Sequence, residues 1–134
     1  MGCTLAGSLT NMIKDIKRRF NPDYLFIEPF EFVITLEILP VLAMGKRDVD
    51  YEIGPVFALI DAPGFGFSWK ERRQTLRNYI IGCDTVAITR VDLVDRKQLQ
   101  IIRNTVKNDV GKDNILFVSI PDQSGIDEVI ARLA

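Results

Sequence analysis

Polar residues stand directly behind four apolar runs, and their types are those that bind or react. Glu28 follows Tyr24-Leu25-Phe26-Ile27, Asp61 follows Val56-Phe57-Ala58-Leu59-Ile60, Thr89-Arg90-Val91-Asp92 follows Thr85-Val86-Ala87-Ile88, and Ser119 follows Ile115-Leu116-Phe117-Val118. A short carboxylate such as Asp92 accepts paired hydrogen bonds, and a flat guanidinium such as Arg90 stacks on rings. An acid at a strand tip, Glu28 or more weakly Asp61, orients a water or completes a Mg²⁺ shell. An acid before a proline, as Glu28 is before Pro29, is also an ordinary way to end a strand. The sequence has no His, which removes imidazole bases, Ser-His-Asp triads and histidine metal sites.

Such residues act together only if the elements beneath them bring their ends to one place. Apolar residues Leu5, Leu9, Met12, Ile13, Ile16 and Phe20 share a helical face, and Lys17, Arg18 and Arg19 crowd the last turn, where the helix dipole favours cations. Asn21-Pro22 stops that helix. Residues 24–27, 56–60, 85–88 and 115–118 read as strands buried on both faces. Residues 30–44 are apolar almost all round; their length favours a helix, with Pro40 as kink or break. Ser68-Trp69-Lys70-Glu71 reads as a capping box opening a helix to about Gly82, and Asp95-Arg96-Lys97-Gln98 as a second cap, for a helix reaching Gly111. A Ser124 cap precedes a last helix carrying Ile126, Val129, Ile130 and Leu133 inward. Alternating strands and helices predict an α/β fold, a three-layer α/β/α parallel sheet. In such sheets ligands bind beyond the carboxyl ends of the strands, so the four polar ends are expected on one rim.

The 134 residues fit a single domain, 1–134, and 47% hydrophobic with 26% charged residues is the composition of a chain that buries a core. A net charge of −1 gives no basic field for nucleic acid or an anionic membrane, and no apolar stretch is long enough to span a bilayer. Cys3 and Cys83 cannot make a disulfide framework, which points to a reducing, cytoplasmic setting. Cys83, beside a strand start, reads as packing. Lys70, Arg72, Arg73 and Arg77 read as a solvated helix face, and Trp69 as a lid over the core.

Thr89-Arg90-Val91-Asp92, between a buried strand and a capped helix, resembles the base-recognition element of GTPases, commonly Asn-Lys-x-Asp or Thr-Lys-x-Asp. In that role Asp92 would accept from the ring N–H and exocyclic amine of guanine, a pair adenine lacks, and such paired contacts discriminate by about 1–3 kcal/mol in analogous base readout. Together with Gly2-Cys3-Thr4-Leu5-Ala6-Gly7-Ser8-Leu9, Pro22-Asp23-Tyr24-Leu25-Phe26-Ile27-Glu28-Pro29 and Cys83-Asp84-Thr85-Val86-Ala87-Ile88, the order and spacing resemble the CobW/HypB/UreG family of metal-handling P-loop GTPases over nearly the whole chain. The resemblance implies a P-loop NTPase-like fold and GTP with Mg²⁺ as cofactors. It implies GTP hydrolysis coupled to insertion of a metal such as Zn, Co or Ni into a target metalloprotein. It also implies roles: Cys3 as the last cysteine of a metal-binding Cys-x-Cys-Cys segment, Glu28 as the catalytic switch acid, Thr89, Arg90 and Asp92 as the base loop, and Ser119 as the later serine.

Two positions and one absent motif depart from that pattern. Gly2 stands where a cysteine is expected, Glu31 occupies the switch glycine position, and no segment fits the phosphate loop Gly-x-x-x-x-Gly-Lys-Ser/Thr. Gly45-Lys46 is followed by Arg47, and Gly111-Lys112 by Asp113. The family places this loop upstream of its cysteine segment, so the resemblance implies the carboxyl-terminal part of a GTPase domain, truncated at its amino terminus and inactive alone. The alternative from another class is a non-catalytic interaction module that kept the fold and lost nucleotide binding. Missing strands would also expose apolar surface, so a homo-oligomer is among the expected assemblies.

Overall fold

The computed structural model describes residues 3–29 and 35–133, with side chains from residue 6 onward. Two compact units divide the chain, Met1–Ile53 and Gly54–Ala134.

The first unit pairs two helices, α1 (Cys3–Phe20) and α2 (Thr35–Gly45). Ile13 of α1 and Ile38, Val41 and Gly45 of α2 are buried, the last three at the spacing of one helical face. The chain leaves α1 through Asn21, whose φ of 43° is left-handed and whose N–H bonds the Lys17 carbonyl at 3.0 Å. Pro40 lies inside α2 without ending it, and its exposure shows that the helix turns its missing donor outward. The Tyr51 hydroxyl donates to the Leu42 carbonyl, and Lys14 meets Asp48 at 2.5 Å. That ammonium holds the Asp48 carboxyl below its ordinary value.

Residues 24–27 form no strand and are exposed, contrary to the buried strand expected of them. Their apolar, β-favouring side chains describe what a strand could bury; without a neighbouring ladder, backbone groups stay with water and propensity alone orders nothing.

The second unit carries the α/β architecture. β1 (Phe57–Asp61), β2 (Thr85–Thr89) and β3 (Ile115–Val118) form a parallel sheet in the order β1-β2-β3. Three strands stand among the described residues where four were expected. Asp61 lies opposite Thr89, and Thr89 opposite Val118, so the carboxyl ends are level. The amino ends are tied by Asp84, whose carboxylate accepts from Val56 N–H at 2.8 Å, and by Asn114, whose amide donates to Thr85 Oγ1 at 2.7 Å.

Alternation along the strands divides the core between two faces. On one, Ile60, Val86 and Ile88 pack with Phe65 and Ile80 of α3 (Phe65–Ile81) and Ile102 of α4 (Arg96–Thr105). On the other, Ala87, Leu116 and Val118 meet Ile126 and Val129 of α5 (Ile126–Leu133). Among the described residues the second face is covered over β2 and β3, and Leu59, at the middle of β1, is 73% exposed. A single π turn, Val106–Val110, extends α4 until Gly111 closes it at φ 77°.

Three helix starts test the expected caps. Asp95 caps α4, its carboxylate accepting from Gln98 N–H at 2.7 Å. Ser68 does not cap α3, which begins at Phe65; the Ser68 N–H already bonds the Gly64 carbonyl at 3.0 Å, and the helix kinks at Arg72 instead. Ser124 exchanges backbone hydrogen bonds with Ser119, both 3.0 Å, and leaves the start of α5 to Gly125 at φ 74°. A Cβ at Gly125 would run into the Phe117 carbonyl, so this turn needs glycine on two counts.

Candidate functional site

The level carboxyl ends of the three strands bring together Asp61, Thr89, Arg90, Asp92 and Ser119. β2 is the central strand, buried throughout from Thr85 to Ile88, and it delivers the base-loop residues to a fixed place. Thr89 anchors the start: its hydroxyl donates to the Ile60 carbonyl at 3.1 Å, and its carbonyl accepts from Ala62 N–H at 3.1 Å. Thr89 thus ties β2 to β1, a structural bond. Arg90 then adopts φ 55°, ψ 40°, a left-handed conformation uncommon outside Gly, Asn and Asp, and a short 3₁₀ turn, Val91–Leu93, follows.

Asp92, on that turn, is exposed, while Ser119, past the end of β3, is fully buried. The Ser119 hydroxyl donates to Asp92 Oδ1 at 2.6 Å and accepts from Asp122 N–H at 3.3 Å. Two residues 27 positions apart are therefore joined across neighbouring strand ends, with one carboxylate oxygen of Asp92 fixed from inside the protein. Apolar Leu93 and Ile120, next to them in sequence, are both exposed.

Asp61 ends β1 and faces Arg90. Arg90 Nε donates to Asp61 Oδ1 at 2.5 Å, and a terminal guanidinium nitrogen meets the same oxygen. Asp61 Oδ2 accepts from Gly64 N–H at 2.9 Å. By sequence Asp61 is a weaker candidate than Glu28; the usable signal is the glycine three residues on, which lets a strand-end carboxylate close a turn on its own backbone.

Glu28 belongs to the first unit. It sits exposed there, following no strand, so its reading as a strand-tip acid is corrected: the apolar run before it has no ladder to end. Cys3 is the first residue of α1, and its side chain lies outside the described ones. Among the described residues no three His, Cys, Asp or Glu gather to hold a metal ion. Cys83 is buried, and burial pushes its thiol above the ordinary value, the environment of an unreactive packing cysteine.

Of the basic cluster on α3, Arg73 bonds the Asp109 carboxylate at 3.0 Å and lies 5.3 Å from the Trp69 ring centre, and Arg77 donates to the Asp109 carbonyl. These arginines fasten α3 to the end of α4. Trp69 stacks on Phe65 at 5.5 Å against the core, as a lid does. The two Gly-Lys pairs are also structural: Lys46 pairs with Glu52 at 2.9 Å, and Lys112 donates to the Cys83 carbonyl at 2.5 Å. No helix among the described residues is long and apolar enough to cross a membrane.

Compared with protein-family models, curated proteins and solved structures, the chain matches none.

Proposed function

We propose that this chain carries the base-recognition half of a GTP-binding domain of P-loop NTPase-like fold, of the kind that couples GTP hydrolysis to delivery of a metal into a target metalloprotein. The observation that supports it is the hydrogen bond from buried Ser119 to exposed Asp92. A hydroxyl that holds one oxygen of a carboxylate restrains its rotation, and a restrained carboxylate is suited to paired N–H donors on a guanine edge. Ser119 orients, Asp92 reads, Thr89 holds the loop on β1, and Arg90 offers a flat cation to a purine face.

The phosphate end is different. Mg²⁺ needs oxygen ligands, and the strand-tip acid nearest this loop, Asp61, has Oδ1 on Arg90 and Oδ2 on Gly64. The residues as arranged do not make a Mg²⁺ site, and no hydrolytic step follows from them. The described residues likewise include no cluster that would hold the cargo metal, and the Cys3 side chain, which the resemblance gives that role, lies outside them. The chain alone is expected to recognise the base weakly and to hydrolyse no GTP.

A titration of the ¹⁵N-labelled chain with guanosine monophosphate in EDTA tests this through amide shifts. Guanosine monophosphate should move residues 90–93 and 119–120 at millimolar concentration, adenosine monophosphate should bind more weakly, and Asp92→Asn should erase the difference. Equal response to both nucleotides, or none to either, overturns the proposal. A non-catalytic interaction module is the second reading, favoured by the exposed apolar residues Tyr24, Leu25, Phe26 and Ile27.

A further inference from the structure

Arg90 combines a costly backbone with a weak reward. The left-handed conformation is disfavoured for a side chain of this size, and an ion pair whose side chains are 58% and 41% exposed returns little stability. Strain that stability does not explain is found where a side chain has to be aimed. Here the aim is specific. The left-handed residue comes one position after the Asp61–Thr89 register pair, and the guanidinium reaches the end of β1. Nε and a terminal nitrogen both meet Asp61 Oδ1, so the group is gripped by its edge and its faces are not used by the grip.

Asp61 is itself fixed. Its second oxygen takes the Gly64 N–H at 2.9 Å, and the approach is so close that a Cβ on Gly64 would stand 2.7 Å from that oxygen. The carboxylate is therefore held by its own turn before it holds Arg90.

We propose that Asp61 is a positioning residue for a purine: it sets the guanidinium of Arg90, two residues before the edge reader Asp92, as a stacking plate. This rests on the guanine-nucleotide reading above. Stacking on a cation does not distinguish purines, whereas the edge contact does, so the two acids should fail in different ways.

The test is the same amide-shift titration, in EDTA, on the full chain and on Asp61→Asn, Arg90→Ala, Arg90→Lys and the Asp61→Asn/Arg90→Ala double variant. Asparagine keeps an acceptor for Gly64 N–H and removes the charge that grips Arg90, so the turn should survive. Asp61→Asn should weaken guanosine and adenosine monophosphate alike, by about threefold, leaving their ratio intact. Arg90→Lys retains the charge and an aliphatic stem, as in the commoner Asn-Lys-x-Asp form of the loop, and should bind better than Arg90→Ala but gain nothing from Asp61. The double variant should be no weaker than Arg90→Ala alone, because Asp61 acts through Arg90. The Arg90 Nε–H resonance should exchange slowly in the parent chain and quickly in Asp61→Asn. Unchanged affinity in Asp61→Asn, or additive losses in the double variant, overturns this inference alone. A parent chain that binds no guanosine monophosphate while its Nε–H stays protected overturns the base-recognition reading, and this inference with it.

Discussion

Cys83 lies beneath the start of β2 with its thiol buried and the Lys112 ammonium on its carbonyl, and desolvation raises its pKa from an ordinary 9.0. The native state therefore keeps a proton that the unfolded chain releases more readily. The associated stability is complete below about pH 9 and is lost as pH rises through the native value. Tyr51, raised by burial from 10.0, acts in the same direction. Urea midpoints at about pH 8 and pH 10 should show a fall that is smaller in Cys83→Ala, although that variant starts lower because a core contact is gone. Cys83 was legible as packing from its place before a strand. The pairing of Ser119 with Asp92 was foreseen only as shared membership of one rim. The grip of Asp61 on Arg90 was not legible, since it depends on a left-handed backbone that the sequence does not mark with glycine.

Elements were legible where local chemistry and tertiary packing agree. Asp95 illustrates this: the acid, the strand before it and the amphipathic residues after it all specify one helix start, and the cap forms at 2.7 Å. Asp95→Ala should cost about 1 kcal/mol, read as a drop in the thermal midpoint, and should loosen the 3₁₀ turn of Asp92 more than any other part of the site. Ser68 shows the opposite case. Its spacing to Glu71 satisfies a capping box, yet Gly64 starts the helix earlier because the turn closed by Asp61 has already committed the chain. Residues 24–27 illustrate a third limit: a strand is a property of two segments, and periodicity describes only one. The parallel sheet itself was readable from three apolar runs separated by helices, since parallel neighbours need such crossovers.

At the scale of the molecule, the described core residues of the second unit run from Val56 to Val129. Its cover is uneven. α5 protects the second face over β2 and β3, while among the described residues β1 is an edge strand with Leu59 exposed, and the segment from Gly54 to Ile60 contains no charged side chain. Natural sheets blunt such edges with charge. Sedimentation at rising concentration should show self-association, and Leu59→Lys should shift the chain toward monomer while leaving its circular dichroism unchanged; a parent chain that stays monomeric at high concentration would contradict this.

Gly125 shows how far a residue's influence can extend beyond anything it touches. It is the hinge pin of the loop that returns from β3, and the room for a methyl group is taken by the Phe117 carbonyl. Alanine there would lever the 119–124 turn outward, lengthening the bond on which Asp92 depends. Gly125→Ala should consequently lose guanosine monophosphate selectivity along with thermal stability, although it lies on no binding surface. A screen for ligand-contacting residues would score that variant as a hit, and only its melting curve would reveal a displaced support.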